Sequence, residues 1–182
     1  MNALDLLLTR QSTPRLTTPE PTEEQLEVIL NAAARVPDHG ALTPWEFIIA
    51  QNEGLNKLGE IFKQAAQING SDEAFIEKAS NMPKRAPMVI TVVAKVQDHQ
   101  KVPVLEQQLS AGCAVMAMQQ AAFAQGLGGI WRTGALAFND DVHKLLGLSE
   151  QDQIVGFLYL GTPVLTAPVK ALKSGQEYAR YL

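Results

Sequence analysis

Residues 104–125 read VLEQQLSAGCAVMAMQQAAFAQ, and the pattern of this stretch decides how the chain can fold. Small and flexible apolar side chains occupy most of the helix circumference, which is typical of a helix that is buried on every side. A chain of 182 residues is near the size of one domain and has few elements to provide that cover. We therefore expect one domain over residues 1–182, with a second subunit covering part of this helix.

Periodicity on either side of this helix predicts further helices that are interspersed with strands. The other predicted helices cover residues 2–9, 22–35, 55–68, 73–80 and 140–146. The predicted strands cover residues 45–50, 88–96, 130–132 and 153–160. Few strands separated by helices indicate an α+β or an α/β arrangement of three layers around a central sheet. The tail after residue 163 has no clear periodicity, so no element is predicted there.

Composition excludes several classes of protein. The formal net charge is −4, whereas a protein that binds nucleic acid normally has a face dominated by Lys and Arg. The apolar runs MVITVVA and AGCAVMAM are too short to cross a bilayer, and the first residues lack the basic start and cleavage pattern of a signal peptide. We therefore expect a cytoplasmic protein with neither a nucleic-acid partner nor a membrane partner.

Cysteine and histidine usage predicts no metal site. The single cysteine, Cys113, excludes an intrachain disulfide, and its apolar neighbours predict a buried structural thiol. The histidines His39, His99 and His143 stand far apart, and only His39 has a neighbouring carboxylate, that of Asp38. The motifs HExxH, CxxC, GxSxG and GxxxxGK[ST] do not occur in the sequence, so the common metal, hydrolase and NTPase templates do not fit.

The helix runs into residues 125–134, QGLGGIWRTG, a glycine-rich stretch with one tryptophan, one arginine and one threonine. A dinucleotide-binding fingerprint would follow a strand and open a helix. Here the glycines follow a helix and lead into a strand, so the order is reversed. Two interpretations stay open: a plain turn with Trp131 in the core, or the rim of a cofactor site.

Arginines stand where loops begin. Arg10 closes the first predicted helix, Arg35 closes the second, and Arg132 follows Trp131 in the glycine-rich strand. A guanidinium group is planar, permanently charged and suited to phosphate, and the hydroxyl of Ser12 can donate to a phosphate oxygen. The alternative is that Arg10 and Arg35 are solvated cations at helix C-termini.

Taken in order, these stretches resemble the FMN-dependent nitroreductases, particularly the small, minimal members of that family. The first helix ends in an R-x-S motif at residues 10–12, and the second ends in ARVPDH at residues 34–39, followed by PWEF at residues 44–47. The buried helix runs into a GLGxxW motif at residues 126–131, and the last strand ends in a G-x-P turn at residues 161–163. The resemblance covers nearly the whole chain up to Pro163.

The resemblance implies an α+β fold, a three-layer α/β/α sandwich with a mostly antiparallel central sheet, assembled as an intertwined homodimer. FMN would lie at the dimer interface and contact both chains. The residues that the resemblance assigns to the cofactor are Arg10, Gln11, Ser12, Arg35, His39, Ala121, Trp131, Arg132 and Thr133.

The implied roles differ along the cofactor. Arg10 and Ser12 would hold the FMN phosphate and ribityl tail. Arg132 would complete the phosphate clamp or approach the flavin edge. Gly128 and Gly129 would let the backbone come close to the isoalloxazine ring.

The chain departs from the family pattern around the second helix. Ala41 and Thr43 stand where larger members commonly place Asn and Gln. Arg35 and His39 are therefore the candidates to replace those flavin contacts. The insertion that covers the substrate in larger members is reduced to residues 55–81, so the sequence does not identify the substrate.

Two further departures concern basic residues near the phosphate. Pro14 stands where larger members usually carry a cation, and Arg15 follows one position later. The basic ligand that the family places near its C-terminus has no secure match, although Lys170 and Lys173 lie in the tail.

The resemblance implies that the flavin carries the chemistry. NADH or NADPH would pass hydride to the flavin and leave, and a nitroaromatic or quinone acceptor would then take its place. The nicotinamide would lie near Ala121, and a cation such as Arg35 would stabilise negative charge near N1 and the C2 oxygen of the flavin. Two alternatives stay open: a flavoenzyme with a dedicated small substrate, such as a dehydrogenase or dehalogenase, and an FMN-binding protein without catalysis of its own.

Overall fold

The computed structural model describes residues 2–165, 168–171 and 174–182. The α-helices are α1 (Ala3–Thr9), α2 (Glu23–Ala33), α3 (Glu53–Ile68), α4 (Glu73–Asn81), α5 (Val104–Ala124) and α6 (Asp140–Leu145). The strands are β1 (Leu16–Thr17), β2 (Trp45–Gln51), β3 (Met88–Ala94), β4 (Gly128–Arg132) and β5 (Gln153–Pro163). Short 3-10 helices cover His39–Ala41, Pro83–Arg85, Ala135–Phe138 and Gly175–Tyr178.

Strand β5 is the centre of the sheet. Strand β3 pairs with one of its edges and β4 with the other, β2 pairs with β3, and β1 pairs with the last residues of β5. All of these pairs are antiparallel, which confirms the predicted α+β fold. The α/β alternative is wrong, because parallel neighbours define the sheets of that class.

The sheet separates two apolar clusters, which gives the three layers. Side chains alternate along β5, so Phe157 and Tyr159 join the cluster that contains α3. Leu158 and Leu160 face the opposite way and join the cluster that contains α2 and α5. On the α3 side, Phe62 meets Phe157 edge to face, with ring centroids 5.1 Å apart.

Helix α2 begins at the predicted capping box. The Thr22 hydroxyl accepts a hydrogen bond from the Gln25 amide, and the Gln25 side chain accepts one from the Thr22 amide. The helix ends at Ala33, slightly before the predicted end at Arg35, because the chain turns over the next residues toward Pro37.

Helix α5 is covered on only part of its circumference within one chain. Leu105, Leu109, Cys113 and Met116 form an exposed stripe, with side chains at helical spacing. The prediction of a buried Cys113 is therefore wrong for the single chain. Helix α1 adds further exposed apolar surface, since it has no buried residue.

The other predicted elements are found with shifted ends. Strand β4 begins at Gly128, earlier than predicted, and β5 continues to Pro163, where it pairs with the unpredicted strand β1. Among the helices of the described residues, none has the length and apolar character needed to span a bilayer.

Candidate functional site

The end of α1 is fastened to α5 and β4 by a chain of hydrogen bonds. Arg10, the residue that caps α1, donates from Nη1 to Oε1 of Gln119 over 3.2 Å. Gln119 is buried and donates from Nε2 to the carbonyl of Gly129 over 3.1 Å. The Thr13 amide donates to the same carbonyl over 2.9 Å. The position of the Arg10 guanidinium is therefore set by α5 and by the first residues of β4.

A pocket of about 320 Å³ lies beside this segment and is called the Ser12 pocket below. Its lining residues are Gln11, Ser12, Thr13, Pro14, Arg15, Phe123, Gly126, Leu127, Pro163 and Leu165. Gln11 also donates from Nε2 to the carbonyl of Pro168 over 3.0 Å, which ties the tail to the pocket. Lys170 is exposed in that tail, and Lys173 lies outside the described residues.

Gly128 and Gly129 lie at the crossing of the N-terminal segment and β4. A Cβ atom at Gly128 would stand 2.6 Å from the Leu16 side chain and 3.1 Å from that of Thr13. A Cβ atom at Gly129 would stand 3.1 Å from the Leu160 side chain. Within one chain these glycines let residues 13–16 pass close to β4 and let β4 pack on Leu160, and their approach to the flavin ring stays a prediction.

Trp131 is half-exposed and not a core residue. Its indole Nε1 donates to the Val155 carbonyl over 3.2 Å, and 37% of the residue remains exposed. The ring lies directly over Gly156, where any side chain would collide with it. The far edge of the ring reaches Gly112 on α5. Trp131 therefore lies on the α5 face of the sheet.

Arg132 projects from the opposite face, as the alternation along a strand requires. Its guanidinium carbon lies 5.9 Å from the centre of the Tyr159 ring. Its Nε is buried and has no hydrogen-bond partner among the residues that the structure describes. Burial raises the pKa of the Tyr159 phenol above its ordinary value, whereas the positive charges of Arg85 and Arg132 act in the opposite direction.

A second pocket, of about 370 Å³, surrounds these residues and is called the Arg132 pocket below. Its lining residues are Phe62, Phe75, Met82, Arg85, Arg132, Thr133, Gly134, Ala135, Leu136, Phe157 and Tyr159. Thr133 lines this pocket together with Arg132, and its contact with the cofactor stays a prediction. Arg85 had no sequence signal, because only the fold brings it to this pocket.

His39 lies at the start of α5, far from Arg10. Its Nδ1 is 2.6 Å from a carboxylate oxygen of Glu106, and both side chains are largely exposed. Glu106 precedes Gln119 by 13 residues of α5, a separation of about 20 Å along the helix axis. The neighbouring Asp38 carboxylate instead accepts hydrogen bonds from the amides of Leu42 and Thr43.

Arg35 belongs to the same end of α5. Helices α2 and α5 run in opposite directions, since Gln125 at the end of α5 donates to the carbonyl of Gln25 at the start of α2. Arg35 is exposed in the turn after α2 and lines neither pocket. One chain therefore brings residues 10–12 together with α5 and β4, and leaves Arg35 and His39 apart from them.

Ala121 lies toward the opposite end of α5, two residues beyond Gln119. It is half-buried, and its carbonyl accepts a hydrogen bond from the Gln125 side chain over 3.1 Å. Gln119 was not predicted as a site residue, although a glutamine within an apolar helix is itself a signal, because a buried amide requires partners.

Comparison with known proteins finds relatives over most of the chain. The sequence model described as "Nitroreductase family" matches residues 7–162. The Escherichia coli K12 protein named "Putative NAD(P)H nitroreductase YdjA" is 54% identical over 167 residues, which are 92% of this chain and 91% of that protein.

Solved structures share the fold. The nitroreductase-like family protein from Bacillus cereus superposes with a TM-score of 0.86 at 22% identity, covering 100% of this chain and 96% of that one. A nitroreductase with bound FMN from Bacteroides fragilis gives a TM-score of 0.74 at 21% identity, covering 96% and 97%. These likenesses extend over nearly the whole of each chain and concern the fold alone.

Proposed function

Because the chain belongs to the nitroreductase family, we propose that it is an FMN-dependent oxidoreductase that uses NADH or NADPH to reduce nitroaromatic or quinone-type acceptors. The observation that carries the proposal is the setting of Arg10. Its guanidinium is held by the neutral amide of Gln119, and among the described residues no carboxylate stands within ion-pair distance of it. Its positive charge therefore stays available to an anion.

The residues beside Arg10 fit the phosphate of FMN. Ser12 supplies a hydroxyl and Arg15 a second cation to the wall of the Ser12 pocket. Charged and hydroxyl donors of this kind suit the oxygens of a phosphate group. In our proposal Arg10, Gln11 and Ser12 hold the phosphate end, and Trp131, Arg132 and Thr133 hold the ring end.

We further propose that FMN binds between two copies of the chain. Arg35 and His39 stand at the opposite end of α5 from Arg10, so in our proposal they complete the site of the partner. The exposed stripe of α5 and the exposed leucines of α1 supply the apolar surface that such an interface requires. A location in the cytoplasm stays a prediction from the sequence.

Bound FMN would supply the hydride chemistry, since its ring exchanges hydride with nicotinamides. The protein's own groups bind, orient and polarise. Gln119 fixes the guanidinium of Arg10, and Arg132 places positive charge at the end of β4. The methyl side chain of Ala121 leaves room for a nicotinamide ring beside α5. A preorganised cation stabilises negative charge on a reduced ring without rearrangement during the reaction.

The test is an absorption spectrum of the purified protein before and after addition of NADH or NADPH without oxygen. We expect a yellow protein that bleaches on reduction and recovers its colour with a nitroaromatic or a quinone. A colourless protein that does not take up added FMN would contradict the proposal. Bound FMN that neither nicotinamide reduces would favour the non-catalytic alternative, and fast reduction with slow turnover of every acceptor tried would favour a dedicated substrate.

Arg10→Ala tests the phosphate contact. Each hydrogen bond to a charged group contributes roughly 1.5–3 kcal/mol, so we expect FMN affinity to fall about 10- to 100-fold. Isothermal titration of the apo protein measures this loss. Lys57→Ala is the matched control, because it removes one positive charge from the exposed surface of α3. Equal FMN affinities of the two variants would contradict the assignment of Arg10 to the phosphate site.

A further inference from the structure

Residues 38–43, called the Asp38 loop below, have a strained backbone on the surface of the chain. Ala41 and Thr43 adopt left-handed conformations with φ of 52° and 46°, although neither residue is a glycine. Both residues are exposed, so close packing around them does not impose these conformations. Backbone strain of this kind persists only where other interactions hold it, and it is concentrated at sites that bind ligands.

The carboxylate of Asp38 holds the loop in this conformation. Oδ1 accepts a hydrogen bond from the Leu42 amide over 3.1 Å, and Oδ2 accepts one from the Thr43 amide over 2.7 Å. The Asp38 carbonyl also accepts a hydrogen bond from the Ala41 amide over 3.3 Å. One residue therefore binds three amides of its own loop, and its side chain spans both left-handed positions.

The first turn of α5 fastens the loop from the other side. The buried side chain of Gln107 accepts a hydrogen bond from the Gln97 amide and donates one to the Gln97 carbonyl, each over 2.8 Å. The side chain of Gln97 donates in turn to the Leu42 carbonyl over 2.7 Å. The position of the loop is therefore set by α5 as well as by Asp38.

Glu106, in the same turn of α5, fixes the ring of His39. A carboxylate accepts hydrogen bonds and does not donate them, so Nδ1 of His39 donates across the contact of 2.6 Å and Nε2 is the nitrogen that remains for a ligand. In the part of the chain that the structure describes, the His39 ring makes no other hydrogen bond. The two side chains are 58% and 45% exposed, and an exposed pair adds little to stability. Its main physical effect is to orient the ring.

We propose that Asp38 and Glu106 are positioning residues that hold His39 in place for the flavin bound by the partner chain. The inference rests on the function proposed above, in which His39 completes the partner's site. Asp38 fixes the backbone that carries His39, and Glu106 fixes the direction of its ring, so neither carboxylate has to touch the ligand. A loop that is ordered before binding loses less conformational freedom when the ligand arrives, which increases affinity.

Asp38→Ala tests the role of the loop backbone. We expect FMN affinity, measured by titration of the apo protein, to fall about tenfold, because two hydrogen bonds that order the loop are lost. In the apo protein, NMR should show solvent exchange of the Leu42 and Thr43 amides about tenfold faster or more. Asp72→Ala is the matched control, because Asp72 accepts a hydrogen bond of the same 2.7 Å length from a backbone amide at the start of α4. We expect wild-type FMN affinity in this control.

A glycine at position 43 provides a rescue experiment. Glycine adopts φ near 46° without strain, so the loop needs less support from Asp38 when Thr43 is replaced. We therefore expect Thr43→Gly to recover part of the FMN affinity when it is added to Asp38→Ala. A role of Asp38 in general stability alone would give no such recovery.

Glu106→Ala tests the orientation of the His39 ring. We expect FMN affinity to fall about 2- to 10-fold, the effect of one hydrogen bond. When His39→Ala is already present, the same substitution should have no further effect, because Glu106 acts through the ring. Glu73→Ala removes the same charge from the first turn of α4 and is the matched control.

Three results would overturn the inference. Faster amide exchange in Asp38→Ala with wild-type FMN affinity would place the loop outside the flavin site. An equal loss from Glu106→Ala with and without His39 would show that Glu106 acts on α5 and not on the ring. Wild-type affinity in His39→Ala would remove both positioning roles. A wild-type protein that binds no FMN would instead contradict the proposed function itself.

Discussion

Helices α3 and α5 lie on opposite faces of the same sheet and differ in how completely one chain covers them. Helix α3 buries Leu58, Phe62 and Ala65 and exposes polar residues, so its own chain covers its apolar side. Helix α5 is apolar on nearly every side and leaves Leu105 and Leu109 exposed. One face of the sheet is therefore covered by its own chain, whereas the other keeps the exposed apolar surface that the dimer we propose would cover.

The largest effect on stability is expected on the α3 face of the sheet. Phe62→Ala removes a ring that is 1% exposed and that packs edge to face on Phe157. A cavity of this kind costs about 3–5 kcal/mol of unfolding free energy, which urea denaturation measures. Phe138→Ala, at an exposed position, is the control and should change stability by less than about 0.5 kcal/mol. A loss for Phe62→Ala as small as that of the control would mean that the α3 face is loosely packed.

The next largest effect is expected on the α5 face, where a substitution should weaken dimer formation. Leu109→Glu places a charge within the exposed stripe of α5, and a two-fold interface would contain the change twice. We expect the dimer dissociation constant, measured by sedimentation equilibrium, to rise by at least about 100-fold, because burying an unpaired charge costs several kcal/mol. Ile68→Glu, at the exposed end of α3, is the control on the other face. A wild-type protein that stays monomeric would contradict our proposal that a second chain covers the α5 face.

Cys113 offers a smaller and more local test of the same interface. The thiol is exposed in one chain and lies in the stripe that we expect a partner to cover. A thiol reagent should therefore react with Cys113 only in the dissociated monomer, so labelling should be slow at high protein concentration. We expect Leu109→Glu to accelerate it about tenfold or more. Equal labelling rates at all concentrations would show that Cys113 lies outside the interface.

The smallest effect is expected away from both faces, at the ion pair between Lys95 and Asp152. Nζ of Lys95 lies 2.5 Å from Oδ2 of Asp152, whose side chain is 2% exposed. Burial acts to raise the pKa of Asp152, but hydrogen bonds from Lys95 and Ser149 outweigh it and hold the pKa below its ordinary value. The hydrogen bond to Asp152 raises the pKa of Lys95.

These shifts fix the sign of the pH dependence. The contribution of Asp152 is complete above its unfolded pKa of about 3.9 and is lost as the pH falls through the lower folded value. That of Lys95 is complete below about 10.4 and is lost as the pH rises through the raised folded value. Since Lys95 is 38% exposed, we expect Asp152→Asn to cost about 1 kcal/mol near neutrality. Urea unfolding of the wild type and of Asp152→Asn across pH measures this difference in unfolding free energy. A difference that persists unchanged to about pH 2 would contradict the lowered pKa of Asp152.

The sequence predicted the elements whose burial pattern is local. The capping box of α2, the periodicity of α3 and the apolar strand β3 need no information from elsewhere in the chain, and all three are found. Strand β1 was not predicted, because two residues acquire strand conformation only by pairing with β5. The exposure of Cys113 was not predictable either, because an all-apolar helix does not indicate which chain covers each side.

The candidate site divides in the same way. Alternation along β4 is enough to place Trp131 and Arg132 on opposite faces, so the sequence contained that information. The convergence of Arg85 on the same pocket depends on the pairing of β3 with β5, which no local pattern encodes. The close neighbours of Gly128 also come from a distant segment, residues 13–16, so no local pattern predicts that contact.

The amide of Gln119 determines what kind of anion Arg10 can receive. A glutamine orients the guanidinium while leaving its charge unneutralised, whereas a glutamate of the same shape would act as an internal counterion. Such a residue would compete with every incoming anion for the same donors and would make the site self-occupied. The choice of a neutral side chain on α5 thus keeps the N-terminal loop selective for negatively charged ligands from solution.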